Sequence, residues 1–324
     1  MPTRLRGLPA SAFMHPADKE AFDILRTTAG FETVFRKVMH YGFEKAVRIQ
    51  LMGSAVRLSP GQCPSLYAKF TEGMAILDIH EDVEIFTLQS PVINAFTFGA
   101  EKVGLVIHTA AIEHLSDDEL FFMICHELGH VKCGHVLYRF IAEILARLVI
   151  MLGHFTLGIG ALLSQGLLMA LLSWYRKSEL SADRAGLLGV QDIEVGKRSL
   201  MKLAGGSPRI FEQMNLQEFE EQAKDVEGSE SIIDALWQVV LTMPLTHPWL
   251  SVRVKELEKW AKDGNFQQLL AGDFGAAAAA AGAATDAAGQ PQASRVCWEC
   301  GTANDYTATQ CKQCNASLIR VRRG

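Results

Sequence analysis

Cys125-His126-Glu127-Leu128-Gly129-His130 is the stretch on which the reading of this chain turns, and it lies in an apolar run that begins near Leu120. His126 and His130 are four residues apart, so on a helix they share one face and can hold one zinc ion. Glu127, one position along, can reach a water at the open position of that metal. The helical context is written just upstream. Ser116-Asp117-Asp118-Glu119 has the form of an N-cap with a capping box, and apolar residues follow at once. Without that context, two histidines facing solvent or packed by chance would explain the spacing equally well.

The pattern is H-E-x-x-H, in which the glutamate acts as general base of a metallopeptidase. Two histidines leave such a site incomplete, because a third protein ligand is needed. Glu143, read as part of the same helix 13 residues past His130, would lie about 20 Å away at 1.5 Å per residue. The metzincin spacing wants histidine at position 136, where the chain has Val136, and its glycine falls at 134 instead of 133. The remaining strong candidate is Glu179 in Ser178-Glu179-Leu180-Ser181-Ala182-Asp183. Glu179 and Asp183 are four apart and project from one helical face, towards a shared partner or towards solvent.

Between these two groups, Leu148 to Tyr175 contains no Asp, Glu, Lys or Arg over 28 residues. A single membrane span there would put Glu179 on the opposite side from His126. The midpoint between Leu128 and Glu179 falls at Gly153-His154, so a chain reversal over Gly153–Gly160 would return Glu179 to the histidines as the second arm of a helical hairpin. Neither arm, about 12–15 uncharged residues, can cross a hydrocarbon core of about 30 Å. Burial in protein, insertion into one leaflet and a dimer contact all fit residues 148–175.

The rest of the chain sets limits. Its 324 residues are 49% apolar with a net charge of −5. A core of good size is affordable, and no global basic field points to specific nucleic-acid binding. Met1 to Pro16 has two arginines and no apolar segment after them, so no signal peptide is expected. The seven cysteines fit a reducing compartment better than a disulfide framework. The expected location is therefore cytoplasmic, with membrane association through the hairpin 148–175 as its variant. Helices are predicted over Pro16–Lys45, Pro64–His80 and Thr246–Lys262, the last with Thr246 as N-cap. Strands are predicted over 83–88, 94–99 and 102–108, giving a small sheet whose edge can accept an extended peptide. His247 reads equally well as a plain turn residue or as a group pointing into the metal cleft, with Arg253 behind it.

After Phe274 the composition collapses to Ala and Gly as far as Ser294, the signature of a flexible tether. Cys297-x2-Cys300, ten residues, and Cys311-x2-Cys314 then form two knuckles of a closed tetrahedral zinc site. The predicted organisation is an N-terminal helical region over 1–80 packed on the protease, and an H-E-x-x-H domain over 81–270. A linker follows over 271–294, then a zinc ribbon over 295–324. The fold class is α+β, mainly α.

Residues 80–260 resemble the HtpX-like gluzincin peptidases, a group that includes the CAAX prenyl proteases. The resemblance rests on Asn94-Ala95-Phe96, on His126–His130 with His135 behind it, on Glu179-x3-Asp183, and on Thr246-His247-Pro248 with Arg253. It implies a zincin-like fold and a catalytic zinc held by His126, His130 and Glu179, with Glu127 as base. It further implies that Asp183 supports a ligand histidine, that the Asn94–Gly99 edge holds substrate backbone, and that His247 helps stabilise the oxyanion, with Arg253 behind it as a further catalytic residue. The tail resembles a common bacterial zinc ribbon, with Gly301, Asn304 and Leu318 in place. Expected partners are a protein or peptide substrate and a protein docked through the ribbon. A rival reading keeps the protease fold as a non-catalytic zinc-binding adaptor.

The tether decouples the tail from the rest. Cys300→Ser or Cys314→Ser is therefore expected to release one zinc and unfold only the tail, since metal supplies its stability. Cleavage of a short peptide should persist, and its loss together with the ribbon zinc would show the tail to be part of the catalytic unit.

Overall fold

The computed structural model describes residues 2–27, 42–99, 102–153, 159–227 and 249–274, and in the tail 294–296, 303–305, 310 and 312–313. In chain order the helices are α1 (Ala10–Phe13), α2 (Pro16–Thr27), α3 (Phe43–Ser54), α4 (Pro64–Ile76), α5 (Thr109–His114), α6 (Asp117–Lys132), α7 (Val136–Gly153) and α8 (Ile159–Val190). They continue with α9 (Ile193–Gly205), α10 (Leu216–Glu227), α11 (Leu250–Lys262) and α12 (Asn265–Leu270). The strands are β1 (Val56–Arg57), β2 (Val83–Leu88), β3 (Ala95–Phe98) and β4 (Val103–His108), with β5 (Ser294–Val296) and β6 (Ala303–Asp305) in the tail. The chain is mainly helical with one small sheet, in keeping with the predicted class.

Helix α6 is the axis of the molecule. Ser116 Oγ accepts from the Glu119 N–H and Glu119 Oε2 accepts from the Ser116 N–H, so the capping box read in the sequence is formed. Every residue from Glu119 to Val131 is buried. A helix apolar on all sides must be surrounded, and α6 is flanked by α4, α8, α9 and the β3–β4 side of the sheet.

The end of α6 departs from expectation. The sequence reading ran this helix on to Glu143, but it stops at Lys132, and Gly134 takes φ 72°. The Gly134 N–H donates to the Val131 carbonyl and the His135 N–H to the His130 carbonyl. This pair of bonds is a Schellman motif, which glycine permits because it lacks a Cβ. It turns the chain, starts α7 in a new direction and sets His135 beside His130.

Helices α7 and α8 then run antiparallel. Arg139 meets Glu179 and, one turn further along α7, Glu143 accepts from the Tyr175 hydroxyl at 3.2 Å. Each step forward on α7 is thus matched by an equal step back on α8. The reversal between them falls on 154–158, outside the described residues. Among the described residues no helix is long and apolar enough to cross a membrane.

Other predicted boundaries shift. Of the helix expected over Pro16–Lys45, Pro16–Thr27 is helical, 28–41 lie outside the described residues, and α3 starts at Phe43 after Gly42 at φ 67°. Helix α4 ends at Ile76, short of His80, and α11 begins at Leu250 after Trp249, with Thr246 outside the described residues. Strand β1 and helix α5 carry no periodic signal strong enough to be read from six residues or fewer.

The sheet order is β1-β2-β4-β3. Strands β2 and β4 pair in parallel, Val83 opposite Val103, while β3 pairs antiparallel to β4, Ala95 opposite Ile107, and forms one edge. Two apolar clusters flank this scaffold. The larger one gathers Leu5, Leu8 and Phe13 with Leu120, Phe122, Leu128, Trp260 and Phe266. The smaller one joins Leu25, Leu51, Phe86 and Phe98 to Tyr138, Trp174 and Tyr175.

The α6–α8 contact is a tight one. A Cβ added at Gly129 would stand 2.5 Å from the Ala185 Cβ and 3.2 Å from the Ala182 Cα. Gly129→Ala should force the two helices apart and cost about 1–3 kcal/mol, the usual effect of overpacking. Urea unfolding reads this as a lower midpoint, and adding Ala185→Gly should recover part of it.

Candidate metal centre

The two halves of the site come from α6 and α8. His126 and His130 leave α6 one turn apart, and Glu179 faces them from the antiparallel α8. The His126 Nε2 lies 3.5 Å from Glu179 Oε2, and His130 Nε2 lies 3.4 Å from Glu179 Oε1. One donor atom from each of the three residues lies within 4.8 Å of the other two, and they are the metal-type cluster among the described residues. A tetrahedral zinc with bonds of about 2.1 Å separates its ligand atoms by about 3.4 Å, so the donor set and its spacing suit zinc.

A second observation marks the same point. Arg139 Nη1 contacts both His130 Nε2 and Glu179 Oε1. The same nitrogen lies 3.3 Å from His130 Nδ1, so a cationic group already sits against the imidazole and the carboxylate of this cluster.

The ligands are held from behind. Asp183 Oδ1 lies 3.0 Å from His126 Nδ1, and His135 Nδ1 lies 3.1 Å from His130 Nδ1. Arg253 grips Asp183 in bidentate fashion, Nε to Oδ2 at 2.8 Å and Nη2 to Oδ1 at 2.6 Å, and its Nη1 lies 3.0 Å from Glu179 Oε2. All of these groups are buried. Two guanidiniums face the carboxylates of Glu127, Glu179 and Asp183, so, the histidines apart, the group carries one negative charge in excess. Burial opposes charge on His126, but Asp183 and Glu179 outweigh it and push the imidazole up to about 9. Burial and the Arg139 charge push His130 well below its ordinary value and keep its ring neutral. For Asp183, burial favours the acid form, yet Arg253 and His126 prevail and hold the carboxyl low.

Glu127 is buried on α6, its Oε1 3.9 Å from His126 Nε2. Asn94, Ala95 and Phe96 lie at the sheet edge on and before β3, which packs beside α6. His247 and the four tail cysteines, Cys297, Cys300, Cys311 and Cys314, lie outside the described residues. Glu143 is on α7, not on an extension of α6, and is engaged by Tyr175.

Three further residues belong here that the sequence reading did not name. Arg139 was readable as a lone charge in Val136–Ala142, four residues past His135. Tyr175 lies under it, the guanidinium carbon 4.0 Å from the ring centroid. Asp18 had no local signal beyond an acidic group in the first turn of a helix.

Two histidines, a facing glutamate and an adjacent glutamate are the residues of a zinc metallopeptidase centre. The comparison with known proteins agrees: residues 62–261 match the model of peptidase family M48, and the chain belongs to that family of zinc metallopeptidases. It is similar to the plastoglobule-localized metallopeptidase 48, chloroplastic, of Arabidopsis thaliana, with 34% identity over 273 residues, 83% of this chain and 78% of that protein. It is also similar to protease HtpX homolog 2 of Methanosarcina mazei, 26% identical over 64% of this chain and 76% of the relative. No solved structure matches it.

Glu179→Ala should abolish zinc binding at this centre, whereas Glu143→Ala should leave both zinc and activity in place. Asp183→Ala should weaken zinc binding or activity by about 10–100-fold, as loss of a hydrogen bond behind a ligand does. Metal analysis after dialysis, with peptide cleavage alongside, checks all three.

Proposed function

We propose that the protein is an endopeptidase that hydrolyses peptide bonds within protein substrates, with zinc on His126, His130 and Glu179 and with Glu127 as general base. The observation that carries this is the position of Glu127, one residue beyond a ligand histidine and buried beside the cluster without joining it. Bound zinc supplies a Lewis acid that polarises the scissile carbonyl and acidifies an attacking water. Glu127 accepts the proton of that water and passes it to the leaving amine. Asp183 accepts from His126 Nδ1–H and keeps the Nε2 lone pair aimed at the metal point. Arg253 acts on this reading through Asp183 and Glu179, a positioning role instead of a catalytic one.

The edge of β3 that no strand among the described residues pairs with is the proposed seat of the substrate backbone, through Asn94, Ala95 and Phe96, since β4 occupies its other side. His247 keeps its proposed part in stabilising the oxyanion, supported by the Thr246-His247-Pro248 motif. In the tail, β5 and β6 pair antiparallel with Val296 opposite Ala303. Cys297 and Cys300 fall between these two strands in sequence, which supports a second, structural zinc held in a ribbon; docking of a partner through that ribbon is part of the same proposal. Contact of 148–175 with a membrane draws support from its lack of charge and from the organelle in the name of the Arabidopsis relative.

Glu127→Gln should lower hydrolysis at least about 100-fold while zinc content stays at the wild-type level, because a base and not a ligand is removed. Zinc loss in that variant would overturn the role given to Glu127.

A further inference from the structure

Among the described residues, Asp18 is with Glu179 the most deeply enclosed carboxylate, at 0% exposure. It sits in the first turn of α2 (Pro16–Thr27), N-terminal to the 62–261 span of the family match. Its Oδ1 accepts from Trp174 Nε1–H at 3.0 Å and its Oδ2 accepts from the Ser181 hydroxyl. The same Oδ2 lies 3.0 Å from His135 Nε2, and His135 Nδ1 lies 3.1 Å from His130 Nδ1. Carboxylate, imidazole and ligand imidazole thus form an unbroken buried line that ends at the metal point.

The protons along this line are fixed by elimination. As a zinc ligand His130 uses Nε2, the ring nitrogen 3.4 Å from Glu179 Oε1, so Nε2 carries the lone pair and Nδ1 the proton. Two Nδ1 atoms at 3.1 Å share one proton, so His135 Nδ1 must accept. The His135 proton then resides on Nε2, with the Asp18 carboxylate 3.0 Å away as its ionic partner. A neutral imidazole has little preference of its own between tautomers, and its partner decides. We infer that Asp18 is a positioning residue for the zinc site: acting through His135, it holds His130 in the tautomer whose Nε2 lone pair binds the metal. The inference rests on His130 being a zinc ligand, as proposed above. It gives the N-terminal helix a part in metal affinity in addition to packing.

Asp18→Asn separates this role from simple stapling of α2 to α8. Trp174 offers only a donor, so it orients the amide with oxygen towards the indole and NH2 towards His135. His135 must then accept at Nε2 and carry its proton on Nδ1, facing the proton on His130. Removing the indole frees the amide to turn its oxygen to His135, so Trp174→Phe should rescue Asp18→Asn.

The experiment measures zinc affinity of the full chain by chelator competition. Each protein is compared with the same protein carrying His126→Ala, so that zinc held elsewhere is subtracted. The cobalt-substituted proteins are followed by their visible spectrum. Asp18→Asn should bind about 10–100-fold more weakly with an altered cobalt spectrum. The double variant Asp18→Asn, Trp174→Phe should return to within about threefold of Trp174→Phe alone, well inside that range. Wild-type affinity in Asp18→Asn, or a loss that Trp174→Phe does not reverse, overturns the inference. If Asp18→Asn does not fold, His135→Gln and His135→Leu decide. The amide can donate to Asp18 and accept from His130, so the first should keep its zinc and the second lose about 10–100-fold. Equal affinity of the two overturns the relay. A wild-type chain whose zinc is indifferent to His126→Ala would instead overturn the ligand assignment itself.

Discussion

Glu179 lies fully buried between two guanidiniums and two imidazoles, and the cost of keeping that carboxylate away from water shapes much of the molecule. A buried ion left unpaired costs several kcal/mol even after the protein relaxes. The partners that offset this cost come from three other helices: His126 and His130 from α6, Arg139 from α7 and Arg253 from α11. None of these can drift without exposing a charge to an apolar interior. The polar cluster therefore fixes the mutual placement of four helices more tightly than apolar contact alone, which tolerates sliding. The same convergence presents lone pairs to one point, so the constraint that organises the interior is also what makes it a metal site.

The packing around the cluster answers to it. Gly129, between the two histidines, lets α8 approach until Ala182 and Ala185 nearly touch the backbone of α6. With a larger residue there, Glu179 would stand too far from His126 and His130 to share a metal. The Schellman turn at Gly134 serves the same end, because it redirects the chain within three residues and brings His135 and Arg139 against His130. Asp18 and Trp174 extend the polar line to the N-terminal helix, so that residues 2–27 pack on the site as well as on the core.

Much of the site was legible because it is local. A helix places i and i+4 on one face whatever surrounds it, so His126 with His130, and Glu179 with Asp183, could be paired from spacing. The capping box at Ser116 is equally local and forms as read. Glu179 required one non-local step, the reversal of an uncharged run too short in each arm to span a bilayer, and the antiparallel register of Arg139 with Glu179 and Glu143 with Tyr175 agrees with it. The extent of α6 was misread. Apolar periodicity continues through Cys133 and into α7, and the break depends on one glycine whose left-handed conformation periodicity does not report.

The sequence by itself determined the chemistry on offer: which side chains can ligate, which can take a proton, and which of them share a helical face. These follow from covalent structure and from a helical repeat that is the same in every protein. Only the tertiary structure decided which charges meet. Arg139, Arg253 and Asp18 are separated from the carboxylate or imidazole they engage by 40, 70 and more than 100 residues. Their pairing is selected by desolvation, since a charge drawn into the interior takes whatever opposite charge the packing of distant helices brings to it. No local pattern encodes that choice.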